Sequence, residues 1–272
     1  MTLTTVGDVM VDVVSERLPA AGERVHGSVR LRPGGSAVNA ALTAAALGAS
    51  ARVVGRIGTD AAGELLIWTL KARGIDAHLA RDDELPTGTA VALRDAVVAD
   101  RGANARLLPA DLPSPLRGDA LLVSGFALFQ DGSRDAARAA LDRFEGAWSA
   151  VDLASPALAP NASHGVDHAN VVFATAEEAG AATGFEPEDA ARELAHHFDV
   201  VCIKLGSEGA LAVRGDRLDR AAVEPVARVS PFGAGDAFAA AFLVELSSGK
   251  DVGNALLRAC QAGARASSSG YL

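Results

Sequence analysis

Short aliphatic runs alternate with Ala-rich helical segments along this chain, and that rhythm limits the folds open to it more than any other feature. Ala51–Gly55 reads as a strand followed by a helix over 61–73, and Ala120–Ser124 as a strand followed by a helix over 134–145. Val200–Lys204 is a further strand nearer the C-terminus. Strands separated by helices return to the same sheet in parallel, which predicts an α/β protein with a mostly parallel sheet. Punctuation agrees: Ser36 stands where an N-cap would open a helix closed by Gly48, and Asp60 could cap one closed by Gly74.

Two stretches, 13–33 and 87–108, break the rhythm. In the second, Thr89–Arg94 reads as a strand feeding a turn near Asp100-Arg101-Gly102. Both could belong to a small β lid beside the main sheet. No internal repeat and no linker rich in Pro, Gly or Ser divides the chain, so residues 1–272 are read as one domain with an appended lid.

Half the chain is apolar (49%) but only 4% is aromatic, so a large core must be built from closely packed small aliphatic side chains. With 34 acidic against 25 basic residues the net charge is −9, which argues against nucleic-acid binding. Lysines are limited to Lys71, Lys204 and Lys250. Cys202 and Cys260 match no metal or redox spacing and suit a reduced compartment. The N-terminus has no basic n-region, and no run of about 20 apolar residues occurs, so a cytoplasmic protein without a membrane partner is expected.

Four Gly-rich clusters could carry chemistry. Gly233-Ala234-Gly235-Asp236-Ala237-Phe238 opens an apolar helix, where small residues let backbone N–H groups converge on an anion at the positive helix end. A carboxylate beside a phosphate is repulsive unless it is needed to accept a proton from an attacking hydroxyl; alone, the run is equally a Gly turn capped by Asp236. Arg32-Pro33-Gly34-Gly35-Ser36 leads into a helix with Asn39 about one turn inside, a poor helix position unless the amide bonds a ligand or a loop. Gly55–Gly63 reads as loop architecture, and Lys204–Ala210 as a strand–turn–strand whose backbone could approach phosphates or simply form a hairpin.

Other chemistries fall away. There is no GxxxxGK[ST], no G-x-S-x-G and no dinucleotide GxGxxG. His164 and His168 near Asp167 read as a solvated loop, not a metal site.

Taken in order, Gly7-Asp8 with Asp12, Gly34-Gly35 with Asn39, Gly55 to Gly63, Gly102-Ala103-Asn104, Glu178 with Gly184, Lys204 to Ala210 and Gly233 to Phe238 resemble the ribokinase-like (PfkB) family of carbohydrate and nucleoside kinases. The resemblance implies a three-layer α/β/α sandwich with a central mostly parallel sheet and a small β lid, ATP as phosphoryl donor, and Mg²⁺. It implies Asp236 as catalytic base, with Gly233, Ala234 and Gly235 as anion hole. Asp12, Gly34, Gly35, Asn39 and Asn104 fall at substrate-holding positions, and Lys204, Gly206, Ser207 and Gly209 in the segment lining the nucleotide. Glu178 matches the acid that organises Mg²⁺ through water. The helix dipole is expected to keep Asp236 ionised at pH 7.

The chain departs from the family in three places. Ser230-Pro231-Phe232 lacks the acid that commonly helps hold a monovalent cation, which argues against such an ion. Thr175 replaces the Asn of the motif ending in Glu178. The chain stops at Gly270-Tyr271-Leu272, which would shorten the adenine-side wall. The main reading is an ATP-dependent sugar kinase, with a ketose or sugar acid favoured over ribose because Ser124-Gly125-Phe126 carries no acid. A nucleoside kinase and a non-catalytic sugar-binding regulator are the alternatives. A homodimer through the lid is a further expectation.

Overall fold

In a computed structural model, residues 1–15, 20–93, 96–163, 166, 168–223, 226 and 232–269 are described. The first half of the chain forms β1 Thr2–Val6, β2 Met10–Ser15, β3 Val29–Gly34, α1 Ser36–Ala46, β4 Ser50–Gly58, α2 Ala61–Ala72, β5 Asp76–Asp82, β6 Gly88–Leu93 and β7 Ala96–Asp100. There follow β8 Leu116–Arg117, β9 Ala120–Ser124, α3 Gly125–Leu128, α4 Arg134–Arg143, β10 Phe144–Glu145 and β11 Trp148–Asp152. The last third contains β12 Val171–Thr175, α5 Ala176–Thr183, α6 Pro187–Leu194, β13 Val200–Lys204, β14 Ala210–Arg214, β15 Arg217–Ala221, α7 Ala234–Ser247 and α8 Val252–Ser269.

Nine strands form the main sheet in the order β15-β14-β13-β12-β11-β9-β1-β4-β5. Pairing is parallel from β5 to β13, and β14 and β15 join antiparallel at one edge. Both faces are covered, as the strands' near-continuous apolar character requires. One core layer packs α1, α7 and α8 residues such as Val38, Phe242 and Leu256 against the sheet, and the other packs Leu128, Leu141 and Leu194 from α3, α4 and α6. This is the three-layer α/β/α sandwich. Alanines at 237, 239, 240 and 241 make α7 apolar on every side, and it is correspondingly buried. Phe173 fills the space these small residues leave, meeting Phe238 and Phe242 edge-on with centroids 6.1 and 5.5 Å away.

A second sheet of four strands, in the order β3-β2-β6-β7, lies apart from the first. β6 and β7 fall within 87–108 and β3 overlaps the end of 13–33, but β2 begins earlier than that stretch, at Met10, so Asp12 belongs to the small sheet although it precedes the expected bounds. The reversal expected near Asp100-Arg101-Gly102 comes earlier: Leu93 pairs with Ala96, and Ala96–Asp100 runs back as a strand. Alternation puts Asp12 on one face and Val13 on the other. On the Val13 face, Leu31, Val13, Val91 and Val98 are successive cross-strand partners, with Leu31 61% and Val98 65% exposed.

Local corrections have physical causes. Ser36 does not cap α1 but is its first residue, since Gly35 at φ +86° takes the cap position and its carbonyl accepts from Asn39 N at 3.0 Å. Asp60 caps α2 as expected, accepting from Gly63 N, and also holds Thr87 at the start of β6. The helix expected over 134–145 ends at Arg143, because Phe144-Glu145 pairs with Leu116-Arg117. Among the described residues, no helix is long and apolar enough to cross a membrane.

Candidate active site

The carboxyl ends of parallel strands leave a crevice where loops and helix starts converge. Here α1 and α7 both begin beside it. Gly233, in the left-handed conformation at φ +79°, is the cap of α7, so Ala234, Gly235 and Asp236 form its first turn. Asn39, one turn inside α1, donates from Nδ2 to Asp236 Oδ2 at 2.9 Å. The poor helix former at 39 is thus retained for a partner on another helix. A helix terminus alone would keep Asp236 ionised at pH 7; burial outweighs it and pushes the carboxyl up to about 7. The bond from Asn39 pulls it down, Asp152 raises it, Lys204 lowers it and Asp12 raises it again. The expectation of an ordinary, fully ionised carboxylate is therefore corrected.

Asp12 lies on β2 in the small sheet, and burial lifts its carboxyl to about 6. Gly34 makes room for it, since a Cβ there would occupy the position of the Asp12 carboxylate. Gly35 is held differently. Its positive φ disfavours any side chain, and a Cβ would strike the Asp8 carbonyl. The tandem glycines therefore let main chain pass between β2 and the start of α1, bringing Asp12, Asn39 and Asp236 to one place.

Asn104 does not join them as a free amide. It is 2% exposed, its Oδ1 accepts from Val9 N at 2.8 Å, and both its amide hydrogens are committed, to Val9 O at 3.0 Å and Arg101 O at 2.9 Å. With no hydrogen left to donate, Asn104 is a brace between the β1–β2 connection and the end of β7, and the expectation of a substrate contact is withdrawn. A neighbouring brace went unread in the sequence: Arg101 grips the buried Asp8 carboxylate through Nη2 at 2.8 Å and Nε at 3.1 Å, and reaches Ser133 Oγ at 3.0 Å.

On the other side of Gly235 a cavity of about 1040 Å³ opens, lined by Lys204, Gly206, Ser207 and Gly209 of the β13–β14 turn and by Ala234 and Gly235. Cys260, Gly263, Ala264 and Ser267 of α8 form its far wall. At the inner end Lys204 Nζ donates to Asp152 Oδ2 at 2.7 Å. Burial alone would discharge the ammonium, but Asp152, Glu178 and Asp236 together hold its pKa above the ordinary value. Asp152 was not singled out from sequence; the only signal was an acid ending an apolar strand at the carboxyl edge of the sheet.

Glu178 lies beside this pair on the first turn of α5. Its Oε2 accepts from Thr175 N at 2.8 Å and its own N–H donates to Thr175 Oγ1 at 3.1 Å, a reciprocal capping box. Thr175 thus keeps the cap where the family has Asn. Burial and Asp152 raise the Glu178 carboxyl, with Lys204 opposing. No group of three or more His, Cys, Asp or Glu side chains among the described residues is arranged to hold a metal ion by itself. Ser230 and Pro231, His164 and Asp167, and Gly270-Tyr271-Leu272 lie outside the described residues.

The model of the pfkB family carbohydrate kinases matches residues 2–270. Over 263 residues the chain is 30% identical to the ribokinase of Bacillus subtilis strain 168, covering 93% of this chain and 88% of that protein. Over 266 residues it is 27% identical to a fructokinase of Salmonella typhimurium, covering 89% and 83%. The crystal structure of a Vibrio cholerae O395 fructokinase with fructose, ADP and calcium ion bound superposes with a TM-score of 0.84 at 26% identity, covering 98% of this chain and 92% of that one. A match along nearly the whole length, on a sandwich of the same architecture, places the chain in the pfkB family of carbohydrate kinases, sugar kinases that transfer a phosphoryl group to an alcohol acceptor.

Proposed function

We propose that the protein transfers the γ-phosphoryl group of ATP to a hydroxyl of a sugar held between Asp12, Gly34, Gly35 and Asn39, with Asp236 as base. The observation that carries this reading is the position of Asp236: one oxygen is fixed by Asn39, and its backbone lies in the Gly-rich first turn that borders the cavity. A sugar hydroxyl lying against the carboxylate would be aligned for attack along the axis of the cavity. The N–H groups of Gly233, Ala234 and Gly235 would face the charge on the transferring group. Lys204, Gly206, Ser207 and Gly209 would line the nucleotide.

Glu178 offers hard oxygen donors of the kind Mg²⁺ accepts, and an ion held mostly by water and phosphate needs no three-residue cluster. When bound, Mg²⁺ supplies neutralising charge to the phosphates; Glu178 would hold it through water. Exclusion of bulk water falls to the small sheet, which carries Asp12 and acts as the lid. Its outward apolar row of Leu31, Val13, Val91 and Val98 fits a second copy of the chain, giving a homodimer through the lid.

The absence of an acid at Ser124-Gly125-Phe126 favours a ketose or sugar acid over ribose. A coupled ADP-release screen across hexoses, pentoses, sugar acids and nucleosides tests the reading, with Asp236→Asn as control. Sugar-dependent turnover that falls about 10²–10⁴-fold in Asp236→Asn is expected for loss of a general base. Preferential turnover of a nucleoside, or no turnover of any acceptor, would overturn it.

A further inference from the structure

Asp152 has a geometry that the sugar-kinase reading leaves unexplained. In the sheet, β11, β12 and β13 lie side by side, and Asp152 and Lys204 end the outer two. The two side chains meet over the end of β12, 13% and 18% exposed for Lys204 and Asp152 respectively. The second oxygen of Asp152 accepts from Ala154 N at 3.1 Å. Ala154 has φ +68°, the one non-glycine residue with positive φ among those described. L-residues rarely adopt that conformation. The strained turn gives a carboxylate fixed at both oxygens, one by backbone and one by the ammonium.

Lys204 is fixed in turn. Its Nζ lies 3.3 Å from the point a Cβ would occupy on Gly235, so the ammonium abuts the glycine that borders the cavity. An ion pair serving only to join two strand ends would not need that approach, and buried pairs are a weak source of stability. Lys71 and Lys250 are exposed elsewhere, so no other lysine reaches this end of the cavity. Of the three ammonium hydrogens, Asp152 takes one.

We propose that Lys204 is a catalytic cation of the phosphoryl transfer and that Asp152 is its positioning residue. The inference rests on the reading of Asp236 as base. In the step, the sugar oxygen forms a bond to the γ-phosphorus while the bond from that phosphorus to the β–γ bridging oxygen breaks, its electron pair leaving with ADP. The hydroxyl proton passes to Asp236. Lys204 keeps its protons throughout and neutralises charge on the oxygens of the transferring group beside Gly235, where low water content makes that charge count. Asp152 holds the ammonium at Gly235 and away from a direct pair with Asp236, which would occupy the base.

The test compares variants in steady-state kinetics and in equilibrium binding of ADP and sugar. Lys204→Met is expected to lower kcat about 10²-fold, the scale for removing one group that stabilises transition-state charge, with the sugar Kd unchanged. Lys204→Ala is expected to recover activity saturably with added ethylammonium. Asp152→Asn should lower kcat with less effect on ADP affinity, and Asp152→Glu should restore part of it. Should the unpaired Asp152 destabilise Lys204→Met, the double variant Lys204→Met with Asp152→Leu removes both charges; its kcat should match the single lysine variant rather than multiply the two losses. Wild-type kcat in the lysine variants, a loss confined to ADP affinity, or no rescue by any small amine in folded Lys204→Ala would overturn the proposal. Asp236→Asn run in parallel separates the two readings: a loss there with none at Lys204 sinks this inference alone, whereas full activity in Asp236→Asn sinks the base assignment beneath it.

Discussion

Asn39 and Asp236 stand 197 positions apart in the chain, yet the Asn39 amide donates to Asp236 Oδ2 at 2.9 Å and fixes the carboxylate in the first turn of α7. On the proposed reading, the substrate hydroxyl would lie against the second oxygen. The bond from Asn39 also favours the ionised form, against the burial that raises the group to about 7.

A base must be deprotonated before it can accept a proton. For the free enzyme, kcat/KM for the sugar is therefore expected to rise with pH, level off above about 7, and shift to higher pH in Asn39→Ala. A flat profile between roughly pH 5.5 and 8.5 would contradict the role of Asp236 as titrating base.

The same shift has a consequence for stability. A carboxyl raised in the folded state binds its proton there more tightly than in the unfolded chain. Its contribution is present in full below the unfolded value of 3.8 and is lost as pH rises through about 7. Asp236→Asn removes that loss, so the variant should melt higher than the parent at pH 8, by about 2–4 °C for each kcal/mol relieved, and show little difference at pH 4. Equal melting temperatures at pH 8 would mean that the folded protein carries no buried charge at this position.

The tandem glycines should fail differently. Gly35→Ala forces a side chain into a Gly-only backbone region, costing about 1–3 kcal/mol from strain alone, and is read as a lower melting temperature. Gly34→Ala displaces the Asp12 carboxylate and is read mainly in KM for the sugar. The opposite pattern would show that Asp12 does not touch substrate.

Removing the Asn104 side chain leaves a buried N–H and two carbonyls without this partner. Asn104→Ala should destabilise by about 2–4 kcal/mol on the usual scale for such groups, measured by denaturant unfolding, while sugar affinity of the folded protein changes little. A stable variant with sharply weakened sugar binding would restore Asn104 to the substrate site.

Placing charge on the outward row of the small sheet, as Leu31→Lys with Val98→Lys, should convert a dimer to monomers in size-exclusion chromatography with light scattering. A wild-type monomer at micromolar concentration would remove the lid dimer.

Much of this was legible because the relevant physics is local. Apolar runs at Ala120–Ser124 and Val200–Lys204 are strands over those same residues, and Asp60 caps where its spacing says it should. Gly34, Gly35, Asn39 and Asp236 could be named because glycines before a helix and polar residues at poor helix positions mark special backbone and distant partners. Asp152 and Arg101 were not legible: one ends an ordinary strand, the other follows one, and each acquires its meaning from a residue 52 or 93 positions away. Asn104 misled for a related reason. Its motif says that an amide is required, but only the fold says that the amide is consumed by main chain.

The candidate site is divided between two bodies of structure: Asp12 sits on β2 of the small sheet, whereas Asn39 and Asp236 sit on helices of the sandwich. An acceptor held by Asp12 and Asn39 in the proposed way would touch both bodies before its hydroxyl lay against Asp236. Water has a single oxygen and cannot meet the two bodies through separate hydroxyls as a sugar can, so on the proposed reading it is the acceptor the site would be least able to align. On that reading, partition of the site between two sheets would guard against wasteful hydrolysis of the phosphoryl donor, and a measured ratio of sugar-dependent to sugar-independent ADP release would report how well the division works.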